Sequence, residues 1–312
     1  IEVWITNRGS QTRNIRNIVG FQDLGESDPS KTSVDDRISN FFSTKGVSIP
    51  PSNENNRLNP EAIGREGILN ENIRDIASIS SSFGSFNKTI NEGFDYAVLE
   101  SARKLAETEY KLHPQLGYIS LNQRLSNDEV LAVAFQYTYR GEVHQVGEFA
   151  NGSVESTSIT ENLAGETQSV NNNNLVVKLL KSNITDVRQP IWDLMMKNVY
   201  SLQAFGLSPD EFRIGVWYND PVTGVDLNYI PREPLEGELL IQVLGMDRID
   251  INGQPQPDGV YDFVDNAATQ GGTMNSQNGR VFLPSVEPFG KTLKDQILDR
   301  VSDADQAQSL IQ

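Results

Sequence analysis

The sequence contains no cysteine, which removes a disulfide framework, a thiolate metal site and a cysteine nucleophile together. Histidine is nearly absent: His113 and His144 are the only two. His113 precedes a proline in a turn and His144 alternates within a strand pattern. Both read as surface or half-buried hairpin residues, with no serine or aspartate constellation beside them. Basic residues are scarce relative to acidic ones, 26 against 42, giving a formal net charge of −16. Binding to a phosphate backbone relies on clustered Lys and Arg that displace counterions, and no such cluster occurs, so nucleic acid is not expected as a partner. Anionic lipid is disfavoured for the same reason. No run approaches the roughly 18 apolar residues of a membrane-spanning helix, and no charged-then-apolar leader opens the chain. The G-x-S-x-G elbow, the Walker loop, G-x-G-x-x-G and H-E-x-x-H are all missing. Nor does any spacing single out two of the many carboxylates as an acid and base pair. The chain is therefore expected not to be an enzyme and to require no cofactor.

What is present is mostly strand. At 312 residues the chain has room for one large domain or two medium ones. It opens inside an apparent strand, Ile1 to Thr6, which points to a portion of something longer. A second strand, NIVGFQDL, follows a polar turn. Residues 25–92 are rich in Ser, Asn, Asp, Gly and Pro, with two-turn helical pieces expected at 36–42 and 71–79 and a flexible Ser/Gly/Phe stretch at 80–87. Tyr96 to Ala106 has helix-friendly composition, with strand as the alternative because a hairpin follows at once. That hairpin runs from Tyr110 to Leu121 and turns at Pro114–Gly117. A second runs from Val130 to Phe149 and turns at Arg140-Gly141. Along it Leu131, Val133, Phe135, Tyr137 and Tyr139 share one face, as in a barrel wall or a sheet packed on a core. The strands elsewhere are too short and irregular for a lipid-facing wall, which favours the packed sheet. The Asn-rich segment 151–174 reads as a solvated loop.

Leu175 to Lys181 forms a compact apolar strand, and a long helix is expected at about 186–204. Thr185 or Asp186 would cap it, Pro190 suits its first turn, and Ile191, Leu194, Met195, Val199 and Leu202 recur at i, i+3/i+4 spacing. Further strands are expected at Arg213–Tyr218, Gly237–Leu244, Val260–Val264 and Arg280–Leu283, with a short C-terminal helix at Gly290–Val301. The fold class is thus mainly β (α+β): antiparallel sheets, sandwich-like, carrying one long helix. Its expected divisions are 1–92 (strands plus a polar insertion), 93–290 (a β-rich domain with the long helix) and 291–312 (helix and tail). Gln115–Leu121 is echoed by Gln277–Leu283. Both read Q-x-G followed by a short strand, the pattern of a tight turn with Gly at positive φ.

One segment has the look of a metal loop. In DRIDINGQPQPDGVYD, Asp247, Asp250, Asn252, Asp258 and Asp262 supply the hard oxygen ligands that calcium prefers. The spacing departs from the EF-hand, whose glycine would fall two places later and whose twelfth position would be Glu. Asx turns built on N-G and P-D-G account for the same residues.

The string HPQLGYISLNQRL…DEVLAVAFQYTY closely resembles the SprA/Sov family. So do EVWITN and RNIVGFQDLGE near the start, NLVVKLLKSNITDVRQPIWDLMMKNVYSL at Asn174–Leu202, and PQPDGVYDFV…NSQNGRVFLPSVEPFG at Pro255–Gly290. Four blocks in one order span most of the chain. The resemblance implies an internal portion of a giant outer-membrane translocon of the bacterial type IX secretion system, which also serves gliding motility. It implies secretion-system and secreted passenger proteins as partners, a cell-envelope location with attachment to the outer membrane through the rest of the parent chain, and no catalytic residues. The competing expectations are a cell-surface binding module, adhesin or glycan-binding sandwich, using the aromatics around Tyr137, and a hydrolase with scattered carboxylates.

Overall fold

The computed structural model describes residues 1–9, 12–22, 24, 71–83, 91–151, 156–161, 167–187, 190–210, 212–265 and 272–301. The helical piece expected at 36–42 lies outside them. The described chain is mainly β, with antiparallel sheets and two short helices, and it divides into two compact units, Ile1–Met195 and Met196–Gln312.

The first unit contains β1 (Glu2–Ile5), β2 (Ile15–Phe21), β3 (Tyr96–Lys104), β4 (Tyr110–His113), β5 (Tyr118–Leu121), β6 (Leu131–Tyr139), β7 (Glu142–Val146), β8 (Thr157–Glu161), β9 (Thr167–Asn172) and β10 (Leu175–Lys181). Its main sheet closes on itself. β1 pairs with β3 on one side and β6 on the other. β3 pairs with β2, β2 runs parallel to β10, and β10 returns to β6. Closure leaves no free edge around the ring, the surest protection of strand backbone groups. Strand alternation then separates two sets of side chains. Trp4, Ile18, Ala97, Ala102, Ala132, Ala134, Leu175, Val177 and Leu179 come from all five strands into one buried cluster, the interior of the ring. A small ring has room for few large residues, and here Trp4 is balanced by four alanines and by Gly20. A Cβ on Gly20 would stand 2.5 Å from a Leu179 methyl. A bulge in β3 helps the strand bend: Ser101 has φ 51°, and its N–H donates to the Asn17 side chain at 2.8 Å.

The outer face is covered in two places. Val19, Phe21, Tyr96, Val146 and Val176 pack under Ile73 and Ile79, which stand in 3-10 turns at Glu71–Arg74 and Ile79–Phe83. The helical content expected at 71–79 is thus confined to these turns, and the described part of the 80–87 stretch is ordered in the second. Val3, Ile5, Leu131 and Val133 pack under Tyr110, Ile119 and Leu121 of the β4–β5 hairpin. Tyr96 to Lys104 is strand, which settles the helix–strand ambiguity there.

Two expectations fail in this unit. The loop expected over 151–174 contains a hairpin, β8 with β9, pairing Thr157 with Asn172. The long helix at 186–204 is absent. One 3-10 turn spans Pro190–Leu194, and Val199–Ser201 is strand β11. The apolar stripe has no common face to bury: Ile191 enters the ring interior, while Leu194, Met195 and Leu202 are exposed. Val199 and Tyr200 are better suited to a ladder than to a helix.

The second unit contains β11, β12 (Tyr218–Asn219), β13 (Asp226–Leu227), α1 (Leu240–Val243), β14 (Met274–Asn275), β15 (Arg280–Phe282) and α2 (Lys291–Arg300). β11, β15 and β14 form a three-stranded sheet. Ile241, Leu244, Met246, Tyr261, Met274, Val281 and Leu283 make the core. The strand at 280–283 and the C-terminal helix are where the sequence put them. Of the strand expected at Arg213–Tyr218 only Tyr218 is in a strand, β12, and Val260–Val264 belongs to no named strand. Gly237–Leu244 is not a strand either: Leu240, Ile241 and Val243 point into the core from a single helical turn. The echoed turns share a geometry, with Gly117 at φ 70° before β5 and Gly279 at φ 60° before β15. Only Gly279 is hemmed in, since a Cβ there would lie 2.0 Å from the Ala204 carbonyl oxygen. The division expected at 92/93 would separate strands of one closed ring, and the observed division at 195/196 falls inside the expected 93–290 domain.

Candidate functional site

The five oxygen-bearing residues of the 247–262 segment lie in one loop, and the four aspartates among them accept from backbone amides. Asp247 is buried and accepts from Asp258 N–H at 3.0 Å, Gly259 N–H at 2.8 Å and the Gln242 side chain at 2.9 Å. Asp262, also buried, accepts from Arg248 N–H at 2.7 Å and Ile249 N–H at 3.3 Å. Burial raises the Asp262 pKa above the ordinary carboxylate range, reinforced by Asp247 and Asp258 and opposed by those two amides. Asp250 accepts from Asn252 and Gln254 N–H, both at 2.8 Å, and the Gln254 amide is the main cause of its lowered pKa. Asn252 and Asp258 are exposed. Among the described residues no group of three or more His, Cys, Asp or Glu is placed to hold a metal ion. The arrangement shapes a loop by capping amides that no strand partner reaches.

The β6–β7 hairpin departs from the ring as an arm. Leu131 to Ala134 pair with β1 and are buried, whereas Phe135 to Tyr139 pair with β7. On the arm Tyr137 stacks on His144 with ring centroids 4.9 Å apart, Phe135 stacks on Tyr137 at 6.2 Å, and the Arg140 guanidinium lies 5.1 Å from the Tyr139 ring centre. Tyr137, Tyr139 and Val143 are nonetheless exposed, at 41%, 55% and 48%. One face of a single strand therefore changes role along its length, from covered core at Leu131 and Val133 to open aromatic surface at Tyr137 and Tyr139. Exposed, preordered tyrosines carry large contact area at low entropic cost, the composition of protein-contact surfaces. The two histidines are both ring-stacked hairpin residues, His113 lying 4.3 Å from Tyr118.

A cleft of about 350 Å³ opens beside the end of β1. Ile5, Leu105, Leu121 and Leu125 supply apolar wall, and Arg8, Arg103 and Arg124 bring three guanidiniums to its lining. Arg103 is held by Glu109, Nη1 donating to both carboxylate oxygens at 2.8 Å. Burial pushes Glu109 up, but the Ala106 N–H and Arg103 outweigh it, so its pKa lies below the usual carboxylate value. Arg8 pairs with Asp128 and, at 3.4 Å, with Glu129. Sequence reasoning missed this cleft, since its arginines are 95 and 21 positions apart along a chain read as uniformly acidic.

Residues 2–145 match the model of the family SprA_N, described as motility related/secretion protein. No curated protein matches the chain. The matched span holds four of the five ring strands, the β4–β5 hairpin, the cleft and nearly all of the arm. Over residues 2–145, just under half of its length, the chain is similar to the SprA motility-related and secretion protein family, which supports a role in secretion or motility.

Proposed function

We propose that the chain is a non-enzymatic structural portion of the outer-membrane translocation channel of type IX secretion and gliding motility, contacting passenger or partner proteins through the β6–β7 arm. The observation that carries this reading is the arm itself, an aromatic hairpin standing off a filled ring inside the family-matched segment. Side chains fill the ring's interior, so this portion serves as scaffold while a conduit is formed elsewhere in the protein. No helix among the described residues is long and apolar enough to cross a membrane. Attachment to the outer membrane is assigned to the rest of the parent chain. A photo-crosslinking residue placed at Tyr139 in the full-length protein in cells is expected to capture secreted passengers or secretion-system proteins. Adducts no more frequent than from a control at Leu116, on the β4–β5 turn, would contradict it.

The exposed Tyr137 and Tyr139 rings also favour a second reading, a cell-surface glycan-binding module. Binding on a glycan array that disappears in Tyr137→Ala would establish it.

A further inference from the structure

The cleft beside β1 brings three arginines to an apolar wall, and one of them differs from the other two. Among the described residues Arg124 makes no ion pair and no side-chain hydrogen bond, and it is exposed at the cleft lining. Carboxylates outnumber basic groups in this chain by 42 to 26, so an unpaired guanidinium beside two paired ones is a position left open to an outside anion. Its neighbours are fixed. Glu109 clamps Arg103, and Glu129, which faces Arg8, is itself held by Ser126 N–H at 2.6 Å. Glu109 offsets Arg103, Arg8 faces both Asp128 and Glu129, and Arg124 remains as the group able to accept a bidentate partner. Guanidinium forks match the two oxygens of a carboxylate, and Leu105, Leu121 and Leu125 beside them give an apolar side chain somewhere to go. A single carboxylate matches the one guanidinium left without a partner, whereas a multiply charged ligand would also face Glu109 and Glu129 in the lining.

We propose that this cleft binds a peptide carboxylate flanked by apolar residues, with Arg124 as the charge-recognising residue. The carboxylate can come from a chain terminus or from an Asp or Glu side chain. The inference does not depend on the translocon reading: missing crosslinks at Tyr139 leave it standing, and failure here leaves the arm standing.

Calorimetric titration of the full chain tests it with two pairs of short apolar peptides. The first pair is N-acetylated Ala-Val-Ala-Leu with a free C-terminal acid or a C-terminal amide. The second is blocked at both ends and carries a central Asp or Asn. The expected result is at least tenfold tighter binding of the acid member in one or both pairs, and the pair that discriminates identifies the source. Arg124→Gln should remove that discrimination and Arg124→Lys restore part of it, with thermal midpoints unchanged because the side chain is exposed. Equal binding of acid and amide members by the unaltered protein, or no binding of either, overturns the proposal. So does discrimination that survives Arg124→Gln.

Discussion

The two units satisfy their buried polar groups in different ways. In the first, backbone groups pair in a closed ring of strands, and two buried carboxylates, Glu2 and Glu148, meet opposite charges from distant parts of the chain. Glu148 takes both guanidinium nitrogens of Arg74, at 2.5 and 2.6 Å, and also the Val176 N–H at 2.8 Å. Glu2 accepts from Lys104 and from the Ala150 N–H. In the second unit strands are two or three residues long, and carboxylates do the work that ladders do elsewhere. Asp247, Asp250 and Asp262 cap amides in their own loop, and Asp220 accepts from Val222 and Thr223 N–H, both at 3.2 Å. A ladder ties distant segments together, whereas a capped loop fixes its own shape. The first unit should therefore lose stability mainly through packing defects, and the second through lost side-chain acceptors.

The largest expected effect is at the centre of the ring. Trp4→Ala empties the interior of its bulkiest residue and should cost about 3–5 kcal/mol, measured by urea denaturation. A loss under about 1 kcal/mol would mean that the ring is not packed around it. Next, Ile191→Ala should cost about 2–5 kcal/mol because the side chain plugs that interior, while Leu194→Ala should cost under about 0.5 kcal/mol as an exposed change. Equal losses at the two positions would restore the helical stripe that the structure has removed. Asp247→Ala leaves two amides without acceptors and should cost about 1–3 kcal/mol, read as faster hydrogen exchange at Asp258 and Gly259 with β2 and β3 unchanged. Exchange that also rises in β2 and β3 would erase the contrast between the units.

The smallest effect is one of pH. Burial raises the Tyr261 pKa above 10.0, opposed by the Thr273 side chain and reinforced by the Asp262 charge. The folded state thus holds the phenolic proton more tightly than the unfolded one. The resulting stability is complete below the unfolded value of about 10 and is lost as pH climbs through the folded one. Tyr261→Phe should flatten the alkaline decline of the second unit, and an unchanged slope would assign that decline to other groups.

Strands with alternating or continuous apolar character were legible in the sequence. β10 is found at the expected Leu175–Lys181, both expected hairpins form, and α2 falls within Gly290–Val301. Closure of the ring was not legible, because it depends on β1 meeting both β3 and β6, two pairings about a hundred residues from β1 in sequence. The false helix at 186–204 arose because a 3.6-residue period records only spacing. It cannot show that Ile191 and Leu202 are drawn to different surroundings. The acidic loop was visible as a loop, but not the destination of its oxygens, since a backbone amide and a cation attract the same carboxylate. Two of the four family-like blocks lie in residues 2–145, where the family model matches, and the arm could be seen as a hairpin. Its projection beyond Ala134 follows from the four-residue length of β1, which the alternation of β6 cannot reveal.

The central claim is that the β6–β7 arm is the working surface and the ring its support. Residues 136–145 can be replaced by a tight turn in the full-length protein, and export of passenger proteins measured in cells. Export should fall sharply while protein abundance and the hydrogen-exchange protection of β1, β2 and β3 remain intact. Undiminished export from cells carrying the armless protein would contradict the account.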